Sequence, residues 1–281
     1  MIQGSAAFFV MVIGVKTATA TLPPFEVVFF RSLFGSLMMA TLMVGKRISF
    51  LGKPEDRRLL ILRGVSGFIA LSLHFYTISV LPMGTAVILN YTGPIFVALL
   101  AMLFLREKPG AFLLAMIFVS FSGVYLLIRP EFRLDPSQGM AVFLAILSGL
   151  FAAVAVMSIR SIRQHESPMT IIFAFTGIST VGSLLYLPLG FRCPSHGEWA
   201  ALMIVAVGSF YGQLWMTMAY RRAPASLVSP FAYLTPLLCF LYGLIVWKEP
   251  LTVLNAVGGI LIILGGALIS IHESRRIDSS E

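Results

Sequence analysis

The sequence predicts an all-helical integral membrane protein of ten transmembrane helices, built from two five-helix repeats of inverted topology. Two observations predict this fold. The chain of 281 residues is 58% hydrophobic and only 11% charged, whereas a soluble globular domain carries about a quarter charged residues. In addition, one pattern of residues occurs twice along the chain at a constant separation. A chain this apolar is expected to lie in the lipid bilayer.

Ten apolar stretches are each long enough to form a helix across a hydrocarbon core of ~30 Å, which takes about 20 residues. The longest connection between them is 46–58, so little of the chain is left for a soluble domain. The predicted spans are 2–20, 24–45, 59–81, 85–105, 110–128, 139–160, 168–188, 198–220, 225–247 and 252–271.

The repeat is visible in matched prolines and tyrosines. A shift of 142 positions brings Tyr91 onto Tyr233 and Pro94 onto Pro236, without a gap over three spans. Because each repeat has an odd number of helices, the second enters the membrane from the opposite side. Such inverted repeats recur in secondary transporters, which open a central site to one face and then to the other. The predicted repeats are 2–130 and 137–272.

The basic residues predict the orientation. With the N-terminus in the cytoplasm, thirteen Lys and Arg residues lie in cytoplasmic connections and four lie outside, which agrees with the positive-inside rule. We therefore predict an inner (plasma) membrane protein of a bacterial cell with both termini cytoplasmic, and interpret the net charge of +8 as a topology signal and not as nucleic-acid binding. The thirteen are Lys46, Arg47, Lys53, Arg57, Arg58, Arg106, Lys108, Arg160, Arg163, Arg221, Arg222, Arg275 and Arg276, and the four are Arg129, Arg133, Arg192 and Lys248.

No stretch of the spans shows a catalytic or metal-binding pattern such as HExxH, paired carboxylates or a Ser/His/Asp grouping. We therefore predict no enzyme activity, no metal and no cofactor. A non-transporting membrane scaffold or an intramembrane enzyme is the alternative to a transporter. The glycines of "GGILIILGG" at 258–266 allow close helix packing, either within a monomer or in a homodimer.

Three segments resemble one known family. They are "PFEVVFFR" at 24–31, "FYTISVLPMGTAVILNYTGPIFVALLAMLFLREK" at 75–108 and its second copy "APASLVSPFAYLTPLLCFLYGLIVWKEPLT" at 223–252. The chain resembles the EamA-type transporters of the drug/metabolite transporter superfamily over nearly its whole length. The resemblance implies a secondary transporter with a central cavity, in which the third, fourth, eighth and ninth spans are prominent. It implies a small organic substrate that is amino-acid-like, cofactor-like or another flat solute, with or without a negative charge.

Two cations and a carboxylate lie near the same end of the first two spans. Lys16 precedes the end of the first span by one turn, and Arg31 lies ~10 Å inside the second. Charges at such positions are rare and usually functional. One interpretation is that Arg31 or Lys16 binds an anionic group of the substrate. The alternative is that Glu26 neutralises one cation and the other reaches the membrane interface.

Polar and aromatic side chains of the third, fourth, eighth and ninth spans are further candidates. His74 either binds substrate or carries a proton, or is a neutral side chain bonded to a neighbouring helix. A flat solute would stack on Tyr91, Trp215 and Tyr233, with hydrogen bonds from the tyrosines and Asn90. The alternative for the aromatic residues is ordinary packing.

The matched prolines and glutamates have structural interpretations. Pro94 and Pro236 interrupt their spans, which predicts the same hinge in each half. The alternative is that they only shape helix packing. Glu107 and Glu249 lie at span ends, where we expect them to pair with basic residues or to cap a helix.

Overall fold

The computed structural model describes residues 1–81, 83–107, 109–128, 139–162, 166–186, 188, 190–246 and 252–278. Within these ranges the chain is helical and has no strand. The helices are α1 (Ile2–Ala18), α2 (Pro24–Gly45), α3 (Arg57–Val80), α4 (Met83–Asn90), α5 (Gly93–Phe104), α6 (Ala111–Ile128), α7 (Gly139–Ile162), α8 (Pro168–Ser183), α9 (His196–Arg222), α10 (Ala225–Val228), α11 (Leu234–Val246) and α12 (Val253–Asp278), with a 3₁₀ helix (Ser229–Tyr233) between α10 and α11.

Eight segments of the described chain are long and apolar enough to cross a membrane, with mean hydropathies from 1.4 to 2.5. One of them combines α4 with α5, and another runs from α10 to α11. The shorter apolar helices α1 and α8 have 17 and 16 residues and occupy the first and seventh positions. The predicted all-helical membrane fold is therefore confirmed, with ten apolar segments in the predicted order.

The seventh segment ends earlier than residue 188, where the sequence predicts its end. α8 ends at Ser183, and the next three N–H groups donate to carbonyls three residues back. This is the tighter hydrogen-bond pattern that closes helix ends. Pro188 follows within one turn and has no N–H to continue an α-helix. The predicted span therefore includes a closing turn as well as the helix.

The fourth and ninth spans are broken at equivalent places. α4 ends at Asn90, and α5 begins at Gly93 with Pro94 in its first turn. In the ninth span the 3₁₀ helix ends at Tyr233, just before Pro236. A proline ring clashes with the carbonyl four residues earlier in an α-helix. Pro94 and Pro236 therefore account for the breaks in the fourth and ninth spans. The backbone at this break is also bonded to another helix, since Ser5 Oγ of α1 donates to the Phe231 carbonyl at 2.9 Å.

The helix contacts follow the inverted repeat. α1 of the first half packs on α9 of the second half. The counterpart of α1 is α7 and the counterpart of α9 is α3, and α7 likewise packs on α3. α2 contacts α8, and α6 contacts α12, so that these helices meet their own counterparts. α2 and α8 begin at Pro24 and Pro168, which are 144 positions apart. At the same shift, Ser36 matches Thr180, and the two hydroxyls share a hydrogen bond of 3.2 Å. A residue that touches its own counterpart lies on the axis relating the two halves.

The glycines of α12 are used inside the chain. A Cβ atom on Gly258 would lie 2.6 Å from the Gly123 carbonyl of α6, and one on Gly265 would lie 2.1 Å from Ser120 Oγ. Gly258 requires glycine because the α6 backbone approaches too closely for a side chain, whereas a side chain at Gly265 would first displace the Ser120 hydroxyl. This seam lies within one chain, as the monomer alternative of the sequence analysis expects.

Candidate functional site

Arg31 lies on the inner face of α2, where it borders a small cavity between the two halves. Only 7% of the residue is exposed, and its Nε donates a 2.8 Å hydrogen bond to Ser209 Oγ of α9. The cavity provides ~10 Å³ for the centre of a water molecule, about the room that one water needs. Its walls come from α2, α8 and α9: Arg31, Ser32, Gly35, Ile172, Phe175, Thr176, Ser209, Phe210 and Gln213.

Arg63 of α3 is a second buried cation beside this cavity. It is 3% exposed, and its Nη2 donates to Gln213 Oε1 at 2.9 Å. The guanidinium also lies over the Phe175 ring, 4.2 Å from the ring centroid, which is a favourable cation–π position. Gln213 and Phe175 both line the cavity, so Arg63 is fixed immediately behind its wall.

In the described part of the chain, neither buried arginine is neutralised by an acidic side chain. Among the residues that the structure describes, no carboxylate lies within 4.0 Å of Arg31 or Arg63. Glu26, the proposed neutralising partner one turn before Arg31, instead accepts a 2.6 Å hydrogen bond from the backbone N–H of Arg192. A buried charge without a partner carries a desolvation penalty of several kcal/mol. The arrangement therefore favours an anion at the cavity.

His74 of α3 lies within electrostatic range of Arg31, whose positive charge acts on it. Its side chain is partly buried. Its Nδ1 atom is buried and has no hydrogen-bond partner in the described part of the chain. His74 does not line the cavity beside Arg31.

A second group of candidates surrounds the breaks in the fourth and ninth spans. Asn90 Nδ2 donates to Ser148 Oγ of α7 at 2.7 Å. The rings of Tyr91 and Tyr233 lie 6.2 Å apart between centroids. Tyr233 is fully buried, and its hydroxyl has no partner among the described residues. The fold thus brings Tyr91 and Tyr233 together, where they pack with apolar side chains of α6 and α12, whereas the Asn90 side chain bonds to α7.

Lys16 and Trp215 do not line the cavity beside Arg31. Lys16 is exposed at the end of α1, and its charge acts on Cys239 of α11. Trp215 of α9 stacks on Tyr211 with ring centroids 5.3 Å apart. Lys16 and Arg31 therefore approach different neighbours, although the sequence places them near one end of adjacent spans.

The end of the bundle where the chain begins is closed by Glu107, at the end of the fourth span. Its Oε1 accepts from the Ala225 N–H at 3.1 Å and from Arg160 Nε at 3.4 Å, and its Oε2 accepts from Ser226 Oγ at 2.9 Å. The carboxylate therefore caps α10 and pairs with a basic residue of the other half. The corresponding prediction for Glu249 lies outside the described residues.

The sequence profile of the EamA-like transporter family matches residues 2–129 and 139–271. The chain belongs to the EamA-like transporter family. It is 32% identical over 272 residues to the pseudopaline exporter CntI of Pseudomonas aeruginosa, covering 96% of this chain and 94% of that protein. It is 27% identical over 200 residues to a riboflavin transporter of Rhizobium johnstonii, covering 71% of this chain and 65% of the relative.

A crystal structure has the same fold, with a TM-score of 0.84, 17% identity, and coverage of 98% of this chain and 97% of the other. The profile match and the relatives make this EamA-like protein a membrane transporter. The family and these relatives are named as transporters and not as enzymes. The buried cations are therefore to be interpreted as parts of a transport protein.

Sequence reasoning did not single out Arg63 in this EamA-like chain. The sequence nevertheless contains a signal for Arg63. Of the 20 Lys and Arg residues, only Lys16, Arg31 and Arg63 are absent from the seventeen that the topology assigns to connections. Arg63 lies near the start of its span, where a long side chain normally reaches the interface. Its inward direction follows from Gln213 and Phe175, which only the packing of α3 against α8 and α9 brings near.

Proposed function

We propose that this protein is a secondary transporter that moves a small, flat, anionic organic metabolite by alternating access. The observation that carries the proposal is the buried Arg31 guanidinium, which borders a cavity between the halves and lacks a carboxylate partner among the described residues. A carboxylate or phosphate group fits an arginine through two parallel hydrogen bonds. The riboflavin transporter named above supports a cofactor-like solute as one substrate class.

Alternating access is supported by three features. The spans broken at Pro94 and Pro236 give each half the same flexible point. The Glu107 contacts close one end of the bundle across the two halves. The cavity beside Arg31 has room for about one water, so a metabolite requires a rearrangement to enter. The two halves would supply it by changing their relative orientation.

Solute flux into proteoliposomes tests the proposal. Candidate solutes are first selected by thermal stabilisation, since a ligand that binds only the folded protein raises its apparent stability. The hits are then tested by counterflow. We expect flux of at least one anionic metabolite with the wild type. Arg58→Gln is the control for the Arg31→Gln variant and should keep this flux, because Arg58 is exposed at the start of α3. Failure of every stabilising solute to exchange would contradict transport.

We also propose that the membrane is the bacterial inner membrane and that both termini are cytoplasmic, from the split of basic residues. This places Cys193, which is exposed between α8 and α9, outside the cell. A membrane-impermeant maleimide should label Cys193 in intact cells. In a Cys193→Ser background, a cysteine added after Ser280 should react only once the membrane is opened. Labelling of that added cysteine in intact cells would reverse the proposed orientation.

A further inference from the structure

The two buried arginines approach the same face of α9. Arg31 donates to Ser209, and Arg63 donates to Gln213. Residues four apart in a helix lie on one face, about 6 Å apart along the axis. The acceptors of the two guanidinium groups therefore project from positions one helical turn apart on the cavity wall. That spacing is comparable with the distance between the two ends of a small dicarboxylate.

The positive charge at this place is not compensated by the part of the chain that the structure describes. Arg63 and Arg31 repel each other electrostatically, and no described carboxylate lies within 4.0 Å of either. The Nε atom of Arg63 is buried and has no described hydrogen-bond partner. One negative charge would compensate one guanidinium, whereas two negative charges would compensate both and remove their repulsion.

Arg63 is also held in a fixed position before any ligand arrives. The Phe175 ring covers one face of its guanidinium, and Gln213 fixes one edge. A Cβ atom on Gly67, one turn further along α3, would lie 2.4 Å from Arg63 Nη1, so the side chain fills the space that this glycine leaves. A guanidinium fixed in this way loses little conformational entropy on binding an anion.

We infer that Arg63 is the second cation of the anion site proposed for Arg31, and that the paired site selects a solute with two anionic groups over one with a single anionic group. This inference rests on the proposed anionic solute and adds its charge class. In this arrangement Arg31 binds one anionic group at the cavity and Arg63 binds the other, with Gln213 and Phe175 as positioning residues for Arg63.

Ligand-induced thermal stabilisation of the purified full-length protein tests the inference, with succinate and acetate as probes in a chloride-free buffer of constant ionic strength. The wild type should bind succinate about tenfold more tightly than acetate, because a hydrogen bond to a charged group changes affinity by about that factor or more. In Arg63→Gln, this preference should fall to less than about threefold, while acetate binding changes little. Arg58→Gln, which removes an exposed charge from the same helix, should keep the wild-type preference.

Arg63→Lys keeps the charge without the two-pronged geometry and guards against a folding defect in the Gln variant. We expect its preference to fall between those of the wild type and Arg63→Gln. If Arg63→Gln does not fold, the reduced preference of Arg63→Lys carries the test. Full wild-type preference in a folded Arg63→Gln variant would overturn the inference. Equal stabilisation of the wild type by succinate and acetate would also overturn it.

The outcome is separable from that of the transport proposal. The binding test uses purified protein and needs no flux, whereas the transport proposal depends on exchange in proteoliposomes. Flux of an anionic solute without a dicarboxylate preference in the binding test would leave transport standing and remove the role of Arg63. A lost preference in Arg63→Gln with no flux of any solute would leave a dianion-binding membrane protein.

Discussion

Two equivalent contacts between the halves of the molecule are built from different residues. In the first contact, Arg31 of α2 in the first half reaches Ser209 of α9 in the second half. The shifts of 144 and 142 positions turn these two residues into Phe175 of α8 and Gly67 of α3, and that pair is also in contact, since a Cβ atom on Gly67 would lie 2.8 Å from the Phe175 ring. The backbone positions are equivalent, but one side carries a cation and the other an aromatic ring.

This difference separates two requirements of a transporter. The prolines, the broken spans and the helix contacts are repeated in both halves, as expected if both must move in the same way. The charges are not repeated, as expected for the proposed anionic solute, which would bind in one orientation and be recognised in one place. In the proposed mechanism, the motion uses the symmetric features of the fold, and recognition uses the features in which the halves differ. Arg63 increases this difference in charge between the halves. It stacks on the same Phe175 ring, and it places a second buried cation on a helix of the first half, α3.

The largest expected effect comes from removing the cation that distinguishes the halves. Arg31→Gln keeps a hydrogen-bonding side chain but makes the two contacts alike in charge. We expect the affinity for an anionic solute to fall about 10- to 100-fold, corresponding to about 1.5–3 kcal/mol for a hydrogen bond to a charged group. Binding and counterflow measure this effect, and fluorescence-detected gel filtration checks folding. Normal transport by a folded variant would assign Arg31 a structural role.

Gly67→Ala tests the apolar side of the comparison. The new methyl group would clash with Phe175 and displace the end of the Arg63 side chain, 2.4 Å away. Such overpacking costs about 1–3 kcal/mol, so we expect a clearly lower thermal midpoint. Ser209→Ala at the equivalent position creates no clash and removes only the hydrogen bond to Arg31. A Gly67→Ala protein as stable as the wild type would show that the second contact is loosely packed.

Glu107→Gln tests the contacts that join the halves at the closed end. The amide keeps the shape but removes the charge that Arg160 and the first N–H groups of α10 share. We expect the closed arrangement to lose about 1–2 kcal/mol, the range for hydrogen bonds whose acceptor loses its charge. Faster reaction with maleimide of a cysteine placed at the partly buried Ala223, in a Cys193→Ser background, reports the opening. Unchanged reactivity would mean that apolar packing alone closes this end.

The smallest expected effects separate the two tyrosines. Tyr91 interacts with the Thr235 side chain, so Tyr91→Phe should reduce stability or solute affinity by about 1 kcal/mol. The Tyr233 hydroxyl has no described partner, so Tyr233→Phe should leave the ligand-free stability unchanged. Weaker solute binding by Tyr233→Phe would then indicate a direct hydrogen bond from this hydroxyl to the solute. Equal losses of ligand-free stability in both variants would contradict the difference between the two positions.

The sequence by itself determined the number and order of the spans, the inverted repeat and the family. These features depend on composition, length and the positions of Pro and Gly, which act locally on the backbone. Pro94 and Pro236 are an example, because a missing N–H interrupts a helix whatever surrounds it. Arg31 was also detectable, since a charge that far inside a span is rare enough to be noticed.

Only the tertiary structure decided which of the unusual side chains meet. The sequence grouped Lys16, Glu26 and Arg31, but Lys16 approaches α11, Glu26 accepts from a loop N–H, and Arg31 reaches α9. The physical reason is that transmembrane helices are apolar on every side, so their sequence pattern does not specify how each helix is rotated about its axis. That rotation is set by close packing between helices, and it turns Arg63 towards Gln213 and away from the membrane surface.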